Sequence, residues 1–272
     1  MPTTTLEQLP VALFRAFDEH SAGLLREYTL TLLGGSRQPF NLDDVARAAN
    51  AKAKVSTEVD RVAETLPDSA RAKSAAVTLN LDLSFPDAGA FGVLQGVLDH
   101  ANHLAYSGEL LVLPVLPELA AVRNWICDEI IGQMAGAAPR AWALPSGTLD
   151  QPGRPLALWE GLGTLPAHEA WLVGDDANRI IAASDPALEL LGWDEEDLVG
   201  QRIVVVIPPA LRELHVAAFT TGLLTGAYHL LDQPLELAAH TRDGRNIDVV
   251  LTLQKYPADR GRCVFLARLE SR

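Results

Sequence analysis

Residues 180–200 read I-I-A-A-S-D-P-A-L-E-L-L-G-W-D-E-E-D-L-V-G, and residues 241–249 read T-R-D-G-R-N-I-D-V. In the first stretch an apolar run stops at Ser184-Asp185-Pro186, which caps a helix and places proline where no amide donor is needed. A short helix over 187–191 follows, ended by Gly192. The carboxylates of Asp194-Glu195-Glu196-Asp197 suit the positive end of a second short helix, which Gly200 terminates. In the second stretch Arg242-Asp243-Gly244-Arg245 is turn chemistry between two strand-like runs.

Working outward, Trp171-Leu172-Val173, the acidic turn Asp175-Asp176-Ala177-Asn178 and Arg179–Ala183 form a hairpin signal. After Ile207-Pro208-Pro209 a longer helix runs over 210–225. Strand-like runs follow at 230–239, 247–255 and 263–269.

This order resembles a PAS domain. The resemblance is carried by Pro186, by Gly192-Trp193, by Glu196-Asp197-Leu198-Val199-Gly200 and by the Arg242–Arg245 hairpin, and it covers 165–272. It implies a five-stranded antiparallel sheet with helices on one face and a ligand pocket between helix and sheet. Members of the family bind haem, flavins or small metabolites, or bind nothing and serve as dimerisation modules, so the fold does not choose among them.

The resemblance makes His215, Phe219, Leu235 and Leu251 the expected pocket residues. Haem-binding oxygen sensors of the family present an axial histidine on the long helix, three residues after an arginine, as His215 follows Arg212. Neutral imidazole in an apolar pocket is a good iron ligand. Against haem, the distal arginine of those sensors falls here at Leu235, and Arg-x-x-His is frequent in members without haem. A cysteinyl flavin is less favoured still, because no cysteine lies between Cys127 and Cys263, and Cys263 reads as a small core residue on the last strand.

Residues 1–135 read as a mainly helical domain with a short sheet. A helical pattern extends from Leu6 to Leu33, and a second follows the Asn41 N-cap through Leu66. Residues 76–85, A-V-T-L-N-L-D-L-S-F, alternate strictly as a half-buried strand. Asp87 caps a helix to Tyr106, 110–115 reads as a second short strand, and a last helix spans 116–134 with Pro117 in its first turn. The Gly-, Ala- and Pro-rich 136–164 is the expected linker, with a short helix near 156–162.

In this half His100 and His103 share a helical face, with His20 on another helix. Two such imidazoles are a minimal metal clip, although the spacing is common by chance and no zincin-type glutamate accompanies it. The motifs around Glu19–Tyr28 and Arg123–Gln133, followed by Ala138–Trp142, look like a helical domain of actinobacterial regulatory proteins. Trp125, Ile126 and Ile130 there read as core packing and Arg123, Asp128 and Glu129 as a solvated face, while the lack of a catalytic set makes a docking surface the sharper reading.

The formal charge of −13 is spread over both halves, 12 basic against 19 acidic residues in 1–164 and 10 against 16 in 165–272. Neither nucleic acid nor an anionic membrane is an expected partner. Two distant cysteines, no apolar span of membrane length and no secretory leader point to the cytoplasm. No phosphate loop, kinase ATP lid or nucleophile elbow is present. The expected protein is therefore an α+β signalling protein, not an enzyme, acting through a homodimer and a protein partner.

Overall fold

Thr3–Pro10 is a strand, β1, where the sequence places the start of a helix at Leu6. It pairs antiparallel with β2, Ala76–Asp82, and the register shifts between Leu6 and Leu9. In an unbroken strand these leucines face opposite sides. A bulge at Gln8, whose φ is 60°, turns both inward, so a three-residue spacing that reads as helical arises from an irregular strand. The expected strand at 110–115 is instead a bend over 110–112 followed by irregular chain, and the strand that pairs with β2 is β1.

The computed structural model describes residues 3–65, 76–145, 155–228 and 230–271, and the chain divides into two units, Met1–Thr148 and Leu149–Arg272. In the first, β1 leads into α1, Val11–Leu33, and α2, Leu42–Glu64, opens at Asn41, whose side chain accepts from the Asp43 and Asp44 amides while Asp44 reaches back to the Asn41 amide. The expected end of this helix at Leu66 lies outside the described residues. Helix α3, Phe85–Tyr106, begins at Ser84, whose amide and hydroxyl both donate to Asp87, and α4 is Pro117–Met134. Val77, Leu79 and Leu81 turn one face of β2 inward, α2 lies against β2, and α4 lies against β1. Phe14, Tyr28, Phe91, Leu98, Leu119 and Ile130 fill the core.

In the second unit β3, Ala170–Asp175, and β4, Ile180–Ala183, form the hairpin. Helices α5, Asp185–Leu191, α6, Glu195–Leu198, and α7, Arg212–Thr225, precede β5, Pro234–His240, β6, Asn246–Pro257, and β7, Cys263–Ser271. All neighbours are antiparallel, in the order β4-β3-β7-β6-β5. On one face Leu172, Ile180, Leu191, Leu198, Val249 and Leu269 pack with α5 and α6. On the other, Trp171, Val173, Val264 and Leu266 are covered by Ala157, Trp159 and Leu162, with Trp159 stacked on Tyr256 at 5.0 Å.

Of the expected linker 136–164, residues 146–154 lie outside the described residues. Residues 136–145 belong to the first unit, where the Trp142 amide donates to Glu7 O at 2.9 Å. Residues 155–164 lie on the second sheet, and the helical turn there is a 3-10 turn at Glu160–Thr164.

Candidate functional site

The β3–β4 turn, Asp175 to Asn178, is built by its own first residue. Asp175 Oδ1 accepts from the Ala177 and Arg179 amides at 2.9 and 3.1 Å, while its own amide donates to Arg179 O and its carbonyl accepts from the Asn178 amide. Asn178 closes the turn at φ 59°, a left-handed conformation that asparagine tolerates better than most residues. Its carbonyl accepts from the Ile203 amide at 2.9 Å and from Arg202 Nε at 3.3 Å. The turn is thereby fastened to the segment that follows α6.

The Asn178 side chain, fully buried, points at α7, where its Nδ2 donates to His215 Nε2 at 2.9 Å. That bond puts the imidazole proton on Nδ1. Burial, together with the neighbouring positive charge of Arg202, holds the His215 pKa down to about 4, so the ring is neutral near pH 7. Among the described residues, neither the other end of the Asn178 amide, the buried Oδ1, nor the buried Thr220 hydroxyl on α7 has a hydrogen-bond partner.

An aromatic wall backs this pair. His215 stacks on Phe219 with ring centres 6.1 Å apart, Phe219 meets Phe265 edge-on at 5.3 Å, and Tyr228 tilts against Phe265 at 5.4 Å. Lys255 Nζ sits 4.4 Å from the centre of the Tyr228 ring. A Cβ on Gly222 would lie 2.7 Å from the Tyr228 ring, so α7 and Tyr228 approach as closely as they do only because residue 222 is glycine.

The four expected pocket residues fall into two places. His215 and Phe219 belong to the aromatic wall. Leu235 and Leu251 are cross-strand partners, and Leu251 in turn pairs with Leu269 and packs against the aliphatic core. Phe265 precedes Leu269 by four residues on β7, roughly 13 Å along the strand. Asn178, Arg202, Thr220, Tyr228 and Phe265 were not singled out from the sequence. A cation followed at once by Ile203-Val204-Val205-Val206-Ile207 was the signal for Arg202, and nothing local marked the reach of Asn178.

The residues as placed do not fit a haem. Axial ligation through His215 Nε2 requires its release from Asn178, which leaves a fully buried amide without its bond, and it sets the iron beside the Arg202 charge.

His20 and His100 of the first unit hold separate partners. His20, buried and with its pKa lowered by that burial, bonds the Leu113 carbonyl at 2.8 Å. His100 donates to Gln38 Oε1 at 2.7 Å and stands edge-on to Tyr28. His103 is exposed. Among the described residues, no group of three or more His, Cys, Asp or Glu side chains is placed to hold a metal ion.

The strand order β4-β3-β7-β6-β5, with three helices between the second and third strands, decides the fold of the second unit. It has the PAS fold. No family model matches the chain, and no curated protein matches it. Among solved structures the chain is similar to the PAS domain of an HTR-like protein from Haloarcula marismortui, at 20% identity over 39% of this chain and 87% of that one, with a TM-score of 0.30. It is also similar to the PAS domain of a protein from Colwellia psychrerythraea, at 16% identity over 38% and 86%, TM-score 0.33. A third is the PAS domain of nitrogen regulation protein NR(II) from Vibrio parahaemolyticus, at 21% identity over 38% and 88%, TM-score 0.28. The fold assignment of the PAS unit rests on its strand order and helix placement.

Proposed function

We propose that the chain is a cytoplasmic signal-transduction protein whose PAS unit senses a small polar ligand at His215 and Asn178. It acts as a homodimer through a protein partner, without catalysis of its own. One observation carries this reading: a neutral imidazole and a fully buried amide meet against an aromatic wall, and one amide oxygen has no partner among the described residues. Such an acceptor costs about 1–3 kcal/mol, which a ligand that donates a hydrogen bond to Asn178 Oδ1 recovers. A strongly shifted histidine beside it is the kind of group that marks a site. Among the described residues no helix is long and apolar enough to cross a membrane.

The test is an absorption spectrum of the purified full chain, with mass spectrometry of whatever denaturation releases and a thermal-shift screen of small hydrogen-bond donors. The expected result is a colourless protein stabilised by such a donor, with the shift lost in His215→Ala and in Asn178→Gly. A Soret band that disappears in His215→Ala would replace this reading with a haem sensor. Light scattering of the full chain at micromolar concentration checks the dimer, and a monomer would remove that part of the proposal.

A further inference from the structure

The turn that holds His215 on one side holds the first described segment of the PAS unit on the other. Asp175 Oδ2 accepts from the Ala157 amide at 3.2 Å and from Arg262 Nη2 at 2.9 Å, and Asp176 Oδ1 accepts from Arg262 Nε at 2.8 Å. Both carboxylates and the guanidinium are at least nine-tenths buried. Arg262 also donates through Nη1 to the Pro155 carbonyl. Three residues before Arg262, Asp259 closes the arrangement: its Oδ1 accepts from the Leu158 amide at 2.8 Å, and its own amide donates to Leu158 O at 3.1 Å. Residues 155–158 are therefore fixed mainly by side chains of the β3–β4 turn and the β6–β7 turn, with one backbone bond from Asp259, and not by a strand ladder.

We propose that Asp175–Asn178 is a two-sided lever that couples the seating of Asn178 on His215 to the attachment of residues 155–158. The proposal rests on the sensor reading of His215 and names how that site is read out. Asn178 and Asp175 are three residues apart in one hydrogen-bonded turn, so a shift of one end moves the other. The buried Arg262 converts that movement into a choice. The ion pair and the Pro155 bond are kept together, or both are released, because a half-satisfied buried guanidinium is the costlier state. Coupling between two sites is reciprocal, so each end must report on the other.

Two variants of the full chain test this. Asn178→Gly removes the side chain while suiting the left-handed backbone, so it unseats His215 without straining the turn. Amide exchange at Ala157 and Leu158 is expected to accelerate at least tenfold, with β5 and β6 protected as in the parent. Arg262→Lys keeps the charge but loses the forked contacts. The His215 ring resonances are then expected to shift or broaden, although residue 262 does not touch that ring. Unchanged exchange at 157–158 in the first variant, a uniform loss of protection across the sheet, or unmoved His215 resonances in the second would each overturn the lever. A donor ligand that binds at His215 and leaves exchange at 157–158 unaltered would overturn the lever and retain the sensor reading.

Discussion

Arg140 lies beyond the end of α4, exposed, yet its Nε donates to Glu129 at 2.7 Å, a carboxylate only 2% exposed on that helix. The Arg140 amide and Gln133 Nε2 donate to the same carboxylate at 2.9 and 3.1 Å, and Gln133 also exchanges bonds with the Thr5 backbone on β1. The strap after α4 is thus pinned to a buried charge. Removing one partner of a buried pair costs about 3–5 kcal/mol where the survivor stays unpaired, and less where it retains amide donors as here. Arg140→Ala is expected to destabilise the first unit by about 1–3 kcal/mol. Release of the strap also separates Trp142 from Trp125, now edge-on at 5.5 Å, so a red shift and altered intensity of tryptophan emission checks the change.

His215 makes stability pH-dependent in a direction fixed by its depressed pKa. As pH falls, the unfolded chain takes up the proton near 6.5 and the folded unit refuses it until about 4, so the contribution is whole above 6.5 and lost through that window. The loss amounts to at most about 3 kcal/mol. Denaturant unfolding of the full chain at pH 7.5 and 5.0, compared with His215→Gln, isolates it. The parent should lose more stability than the variant on acidification, and parallel losses would contradict the assignment.

Gly96 on α3 sets two effects against each other. Alanine gains about 1 kcal/mol of helix propensity over glycine. Its Cβ, however, would lie 2.8 Å from the Phe40 ring, whose residue also supplies the carbonyl that Tyr28 Oη donates to at 3.2 Å. Overpacking costs about 1–3 kcal/mol, so Gly96→Ala should be neutral to destabilising by about 2 kcal/mol. Phe40→Leu should relieve the clash in a double variant, which a thermal melt of the four proteins measures.

At the start of α2, Asn41→Ala should cost about 1 kcal/mol, since it abandons the Asp43 and Asp44 amides. Asn41→Ser should recover most of that. Urea midpoints of the three proteins decide it.

The PAS sheet was legible because its turns are local chemistry. Ser184, Pro186, Gly192, Gly200 and Gly244 each mark an element end within a few residues, and the strands between them alternate. The first strand of the chain was not, because the Gln8 bulge disguises a strand as a helix and its partner β2 is far away in sequence. The candidate site was legible only by half. His215 and Phe219 share one helix, whereas Asn178, Arg202, Tyr228 and Phe265 reach them from four other segments. Such convergence is set by tertiary packing, which no single window of residues carries. The strand register pairs Leu235 with Leu251, and Leu251 packs against the aliphatic core.

The ribbon of β1 and β2 also bears on synthesis. Thr3 and Asp82, joined side chain to side chain, are 79 residues apart. At translation rates of roughly 5–20 residues per second, β1 waits about 4 to 16 s for its partner. During that interval Leu6 and Leu9 have no sheet to enter. Anything that shields that short apolar segment on the ribosome, or delays β2, therefore acts on the yield of the first unit without touching its final stability.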